Sequence, residues 1–426
     1  METGLLTTYT YELKKLVLYT SGGDVVDIRR TFLEFDIYED IFNPCSTASI
    51  LLGDAQELLS NFRIHGNDFI EIEIDKPSLN QSIHKFYRIY KVSNRNMGTS
   101  IQNYMLHLCS EEMILSPQML ISKSYKGMKI TNIVKNILKD YLKVSDKKIG
   151  KISDSFGVYD IIIPKMDPLE AIQWLSTRAY SDKGSLYLFF ENRDGFNFIS
   201  YEDLLKVNPY STYYKTVKLS DDPAKNLQTF TTLSIPEDFD VMKASRYGSF
   251  SSSLKTLDLI TKSYDAFLFN SLQFKGKGIL NKEVTMNGLQ NRLKKTFYDS
   301  FDNMQKYVMV TDADPTNNPI SPENWLAQTA SRMGQLNLFK MVGVVPGDPV
   351  LKAGITINVE IPNVIPQEQI ASINKVRTGR YLVSTVHHKF AADIYTTTME
   401  MLSDSVNEYM PSPANSSSKI REILSS

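Results

Sequence analysis

Among the five histidines, His387-His388 is the only adjacent pair, and Asp393 lies nearby. On a strand, neighbouring residues point to opposite faces, so this pair cannot hold one ion between its rings. Neither His-Glu-x-x-His nor a paired Cys-x-x-Cys accompanies it. Asp312-Ala313-Asp314 with Asn317 has the opening of a calcium loop, but the central Gly and closing Glu are missing and Pro315 interrupts it. Ser252 and Lys255 stand at Ser-x-x-Lys spacing without the partner motifs of serine acyl-transfer enzymes. Gly276-Lys277-Gly278 is too short to cradle a phosphate. Cys45 and Cys109 are too few for a disulfide framework and read as small apolar residues. Acidic residues are plentiful, so a pair of hydrolytic carboxylates stays open. No catalytic, cofactor-binding or metal residue is nominated, and the expectation is a protein without enzymatic activity or cofactor.

The elements that must carry these residues are mostly strands. Phe69-Ile70-Glu71-Ile72-Glu73-Ile74 alternates cleanly, with Ile70, Ile72 and Ile74 on one face, after a Gly66-Asn67-Asp68 turn. It lies within a β pattern running from Arg30 to Ile74, with a turn at Asn43-Pro44. A hairpin follows, with strands over 86–92 and 102–109 and a loop around Asn94 to Gly98. The period then changes. Ile130, Ile133, Val134, Ile137, Leu138, Tyr141 and Leu142 fall at helical spacing. Asp167-Pro168 reads as an N-cap and first turn, and a hairpin over 185–200 turns at Asn192 to Gly195. Further on, Ser249 to Ser253 reads as a turn, and Ser321-Pro322 as the start of a helix ending near Gly334. Strands are expected over 336–345, over 355–361, where Ile355, Ile357, Val359 and Ile361 share a face, and in a hairpin over 380–402.

The chain of 426 residues carries 47 Lys plus Arg against 48 Asp plus Glu, a net charge of −1, which argues against a polybasic nucleic-acid binder. A basic n-region with an apolar stretch is absent, as is any run of about 18 apolar residues. The expectation is no signal peptide, no membrane segment and synthesis in the cytoplasm. The 23 tyrosines and 21 phenylalanines are spread along strands, as core or interface residues would be.

The two β blocks read as weak copies. Each has a Gly-led turn, a strong alternating strand and a long hairpin, ending in Leu106-His107-Leu108-Cys109-Ser110 in one and Met399-Glu400-Met401-Leu402-Ser403 in the other. The expected fold is α+β, mainly β. The expected domains are a first β domain over 1–115, an inserted α+β domain over 116–205 and a second β domain over 206–245 and 335–404. Residues 246–334 read as an insertion packing with the α+β domain, and 405–426 as a flexible tail.

In this order of elements the chain resembles the baseplate central hub protein of contractile-tailed, T-even-like phages, and more distantly the hub part of type VI secretion spike proteins. Phe35-Asp36-Ile37-Tyr38-Glu39-Asp40-Ile41-Phe42 through Ile50-Leu51-Leu52-Gly53-Asp54-Ala55 to Gly66-Asn67-Asp68-Phe69-Ile70 carries the likeness. So do the helix from Asp167 with the hairpin after it, Val344-Val345-Pro346-Gly347-Asp348 with Gly354-Ile355, and Thr378-Gly379-Arg380-Tyr381-Leu382-Val383. The resemblance implies two tube-like antiparallel β-barrel domains per chain and a homotrimer. It also implies partners in the tail-tube protein, the central spike protein and other baseplate proteins, with genomic DNA as passing cargo and the virion baseplate as location. It transfers no catalytic or interface residue. A receptor- or glycan-binding module elsewhere in a tail, and a cell-wall hydrolase, are the alternatives.

Overall fold

The computed structural model describes residues 8–62, 64, 66–182, 184–216, 222–237, 240–246, 248–249, 251–258, 262–270, 279–284, 305–311, 322, 325–337, 339–363 and 373–407. The chain is mainly β, with large antiparallel sheets, and helices cluster in its middle.

The first β block holds β1 (Glu12–Tyr19), β2 (Val25–Asp27), β3 (Phe32–Asp40), β4 (Thr47–Asp54), β5 (Phe69–Lys76), β6 (Gln81–Met97) and β7 (Gln102–Cys109). Alternation sends Ile70, Ile72 and Ile74 into its core with Leu16, Leu18, Ile50, Leu52, Tyr104 and Leu106. β1 and β2 precede the β pattern read from Arg30 onward. The expected loop at Asn94 to Gly98 starts later than read, because β6 continues to Met97 and pairs with Gln102 there.

The middle of the chain contributes β8 (Ile121–Met128), β9 (Ile149–Ile152), β10 (Tyr159–Met166), β11 (Tyr187–Asn192) and β12 (Gly195–Ser200). The helical spacing from Ile130 is realised as an α-helix over Ile130–Asn136 that widens into a π-helical stretch over Ile137–Tyr141. Asp167 caps the helix Pro168–Arg178, its carboxylate accepting from the Glu170 amide at 3.0 Å. Every residue of β11 and β12 is buried. Tyr187, Phe189, Phe196 and Phe198 face the core of the middle region, while Leu188, Phe190 and Ile199 face a second core with Leu382 and Leu402. The continuous apolar run Tyr187-Leu188-Phe189-Phe190 thus belongs to a strand covered on both sides.

The second β block holds β13 (Thr212–Tyr214) and β14 (Thr232–Glu237), then, after an excursion, β19 (Phe339–Pro346), β20 (Thr356–Glu360), β21 (Gly379–Ala391) and β22 (Ile394–Ser403). The excursion carries β15 (Ser251–Asp258), β16 (Tyr264–Asn270), β17 (Glu283–Val284) and β18 (Gln305–Thr311), and β23 (Ser405–Val406) returns to pair with β17. The serines read as a turn at Ser249 to Ser253 run instead into β15, where pairing on both sides overrides their turn preference. The helix expected from Pro322 starts at Leu326 and ends at Leu336. Of the flexible tail expected over 405–426, Ser405 and Val406 are instead buried in β23, held by pairing with β17, and residues 408–426 lie outside the described residues.

The two β blocks form one continuous 13-stranded sheet, in the order β14-β19-β22-β21-β3-β4-β7-β6-β5-β1-β2, with β20 beside β21 and β13 beside β20.

Candidate assembly surface

The join between the blocks is the antiparallel ladder β21–β3, which runs from Thr385 opposite Asp40 to Ala391 opposite Glu34. Its two faces differ because side chains alternate. On one face His387 Nε2 lies 2.6 Å from Asp36 Oδ1, Lys389 Nζ lies 2.8 Å from Glu34, and the His387 ring stacks on Tyr38 at 4.5 Å. On the other, Phe390 stacks on Phe35 at 5.6 Å and on Tyr395 at 4.2 Å, with Tyr11 edge-on at 5.2 Å. Aromatic pairs of this geometry add to what their burial supplies.

His388 is buried on that inner side. Its Nδ1 is 2.8 Å from the Tyr395 hydroxyl and its Nε2 is 3.2 Å from the Leu351 carbonyl, and burial lowers its pKa to about 3. The two histidines face opposite ways, as strand geometry requires, and each is occupied by protein partners. Glu39, one residue from Tyr38, is buried and accepts from the Ala353 amide at 3.0 Å. Burial raises its pKa to about 7, against the pull of Lys85 and the Ala353 hydrogen bond.

The β11–β12 hairpin braces the same join. Glu191 accepts from the Ser46 amide at 3.0 Å and from the Ser110 hydroxyl, both in the first block, while Asn192 donates to the Ala353 carbonyl of the second at 2.9 Å. Lys85 and Lys148 stand 3.8 and 3.6 Å from Glu191, so this buried carboxylate has two cations nearby.

The remaining sequence candidates do not converge on a site. Ser252 is buried in β15 and Lys255 points from the exposed face, its Nζ 5.8 Å from the Tyr264 ring centroid. An offset of three along a strand reverses the face, so the two cannot act as nucleophile and base. Cys45 and Cys109 are both free and buried, and burial raises both thiols, Cys109 to about 12. Asp312 to Asn317 and Gly276 to Gly278 lie outside the described residues. Two open surface pockets of about 390 and 460 Å³ flank β20, and their described linings share a single carboxylate, Glu360, where glycoside hydrolysis uses two.

A group that the motif reading missed is Glu71, Glu73 and His84, whose ligand atoms lie within 4.8 Å of one another. Cross-strand register creates it, pairing Glu73 with His84 across β5 and β6. Lys15 Nζ already sits 3.0 Å from Glu71 and 3.2 Å from Glu73, and the Tyr19 hydroxyl donates to Glu71 at 2.7 Å. These bonds hold the Glu71 carboxyl down at about 2, with Tyr19 the largest cause and Lys15 next. The cluster is an ion-pair network on the outer face.

The two blocks repeat one plan. The first follows β3-β4-β7-β6-β5-β1 and the second β14-β19-β22-β21-β20-β13. Each long hairpin strand carries a bulge at the matching place: Tyr90 is the extra residue between the pairs Ile89–Leu108 and Lys91–His107, and Ser384 between Val383–Met401 and Thr385–Glu400. The outermost strand differs, since β1 runs antiparallel to β5 whereas β13 runs parallel to β20.

No protein-family model matches the sequence, and no curated protein matches it either. Solved structures do match in fold. A tail protein from Neisseria meningitidis aligns over 93% of this chain and 97% of its own, with 12% identity and a TM-score of 0.53. A 43 kDa prophage tail protein from Shewanella oneidensis aligns over 92% and 98%, with 9% identity and a TM-score of 0.52. An Escherichia coli type VI secretion component aligns over 95% and 80%, with 9% identity and a TM-score of 0.44. The duplicated β plan with its helical middle region is, over nearly the whole chain, the fold of the Neisseria and Shewanella tail proteins.

Proposed function

We propose that this chain is a structural virion protein, a baseplate hub that trimerises into a pseudo-sixfold ring. The ring connects the tail tube to the central spike and forms part of the DNA channel. The observation that carries this reading is the repeated β plan joined edge to edge through β3 and β21 within one chain. Three identical chains match a sixfold tube only if each presents two equivalent surfaces, and two copies of one module do that. In this reading each block is a tube-like barrel domain, the tail-tube and spike proteins are the axial neighbours, and other baseplate proteins surround the ring. DNA passes through without specific readout. The protein acts in the tail baseplate of the virion after assembly in the host cytoplasm, and it has no catalytic role. Among the described residues no helix is long and apolar enough to cross a membrane.

Light scattering on the purified chain, alone and mixed with the spike protein of the same tail, tests the proposal. The expected particle contains three chains of 48.5 kDa each in at least one of the two conditions. A one-chain mass in both would overturn it.

A further inference from the structure

The fold contains one joined pair of equivalent edges and one unjoined pair. Beyond the Ser384 bulge, β21 leaves β20 and gains β3 as its second neighbour. Beyond the matching Tyr90 bulge, β6 leaves β5, and among the described residues Lys91–Met97 have β7 as their only neighbouring strand. The strand equivalent to β3 is β14, which ends the sheet with β19 on one side only. Each half of the chain thus holds one side of a join that is completed only once within it.

Side-chain exposure marks the same vacancy. Counted along β22 and β7, Phe390 opposite Tyr395 and Met97 opposite Gln102 stand at the same rung. The strand β6 reaches it with one extra residue, at a second bulge between Ser93 and Asn96. Phe390 is 1% exposed because the first block covers it, and Met97 is 72% exposed. On the facing side Phe35 pairs with Ile50, and its counterpart Leu233 pairs with Gly343. An open edge beside an exposed apolar side chain is an association surface.

We propose that β14 of one copy pairs antiparallel with the Lys91–Met97 half of β6 in the next copy, with the Asn96 and Met97 rungs aligned as in the internal join. The second β6 bulge, between Ser93 and Asn96, faces the irregularity between Ser234 and Glu237 of β14. Phe390 opposite Phe35 then becomes Met97 opposite Leu233, and Lys389 opposite Asp36 becomes Asn96 opposite Ser234. The occupant is a second copy of this chain because the chain already shows how one such edge accepts the other. The contact is heterologous, and three internal joins alternating with three intermolecular ones close a ring without a free β6 or β14 edge. This inference rests on the trimeric ring proposed above and assigns the strands that build it.

The test is cysteine cross-linking in the full chain. Directly opposed residues on antiparallel strands have Cα atoms about 4.5–5.5 Å apart, within reach of a disulfide. Oxidation of an M97C/L233C double variant is expected to give a covalent ladder ending at three chains, with neither single variant doing so. Within one chain these positions are seven strand steps apart along the sheet, from β14 to β6. An E34C/A391C variant, across the internal join, is expected to close within one chain and confirms that oxidation reaches such pairs. N96C/S234C repeats the test one rung away if M97C/L233C does not fold. Light scattering runs in parallel, with and without the spike protein. A three-chain mass with the internal control cross-linked but neither intermolecular pair would overturn the strand pairing and leave the ring. A one-chain mass in both conditions would overturn both.

Discussion

The covered join between β21 and β3 and the bare stretch of β6 are the same construction in two circumstances. At the join, Phe390 lies between the rings of Phe35 and Tyr395, and His387 and Lys389 meet carboxylates across the strands. On β6 the equivalent rung holds Met97 in solvent. The two ladders share the first bulge, and β6 adds a second between Ser93 and Asn96, yet both rungs are paired in full, so the ladder itself does not bury these positions. A neighbouring block does. Burial here is a property of assembly, reached once inside the chain.

The two blocks also share a corner built on Gly-Asp. Asp54 accepts from the Gln56 and Leu58 amides, both at 2.8 Å, and from the Tyr104 hydroxyl at 3.1 Å. Asp348 accepts from the Val350 amide at 2.9 Å and from the Tyr213 and Tyr210 hydroxyls at 2.9 and 3.1 Å. The glycines differ in necessity. A Cβ at Gly347 would lie 2.1 Å from the Tyr395 ring, whereas at Gly53 the nearest side chain is Leu33 at 3.4 Å. The second corner is pressed against the aromatic cluster of the join and the first has room.

The largest effect expected from breaking this equivalence comes from the two alternating strands. Ile72→Asp and Ile357→Asp each place an unpaired carboxylate in a fully buried position, with a cost of roughly 4 kcal/mol or more. Loss of the cooperative denaturant transition in both variants is expected; a folded, ring-forming Ile357→Asp protein would remove the second block from the comparison.

The covered and open rungs should separate next. Phe390→Ala is expected to lower unfolding free energy by roughly 3–5 kcal/mol. Met97→Ala is expected to change the isolated chain by about 0.5 kcal/mol or less while reducing the fraction of trimer seen by sedimentation. Equal stability losses would show that Met97 is already buried in the single chain.

At the corners, Asp54→Ala and Asp348→Ala each strand buried donors, at a cost of roughly 1–3 kcal/mol. Similar shifts in urea midpoint would support a shared corner; a neutral Asp348→Ala would confine it to the first block.

The smallest effect is a change in pH slope. Folding raises the Glu39 pKa from 4.5 to about 7, so the folded chain retains a proton that the unfolded chain loses, and this group reduces stability as pH rises through that window. His388 acts in the opposite sense. Its folded pKa of about 3 lies below the ordinary 6.5, so its contribution is present above 6.5 and lost as pH falls towards 3. Glu39→Gln keeps an acceptor for the Ala353 amide and removes only the first effect. Stability of that variant should climb more steeply with pH between about 4.5 and 6.5, read from urea midpoints across the range. An unchanged slope would mean that Glu39 is solvated in the folded chain.

Local pattern determined much of this protein. Ile70, Ile72 and Ile74 occupy one buried face because alternation in a half-covered strand leaves little choice. Asp167-Pro168 starts a helix because a carboxylate cap and a fixed φ satisfy what a helix end needs. The opposite facing of His387 and His388 follows from the strand period. The Gly-led turns were visible as a rhythm in the amino-acid order, whereas the equivalence of the Gly53-Asp54 and Gly347-Asp348 corners emerged only from their hydrogen bonds. Other features depend on partners far along the chain. Ser251 to Ser253 become strand because β16 and β18 flank them, and Glu71, Glu73 and His84 meet only through register. The β3–β21 join brings residues 34–40 against 385–391. Strand edges carry the same backbone donors and acceptors whatever their side chains, so which edge finds which partner was decided only by the tertiary fold.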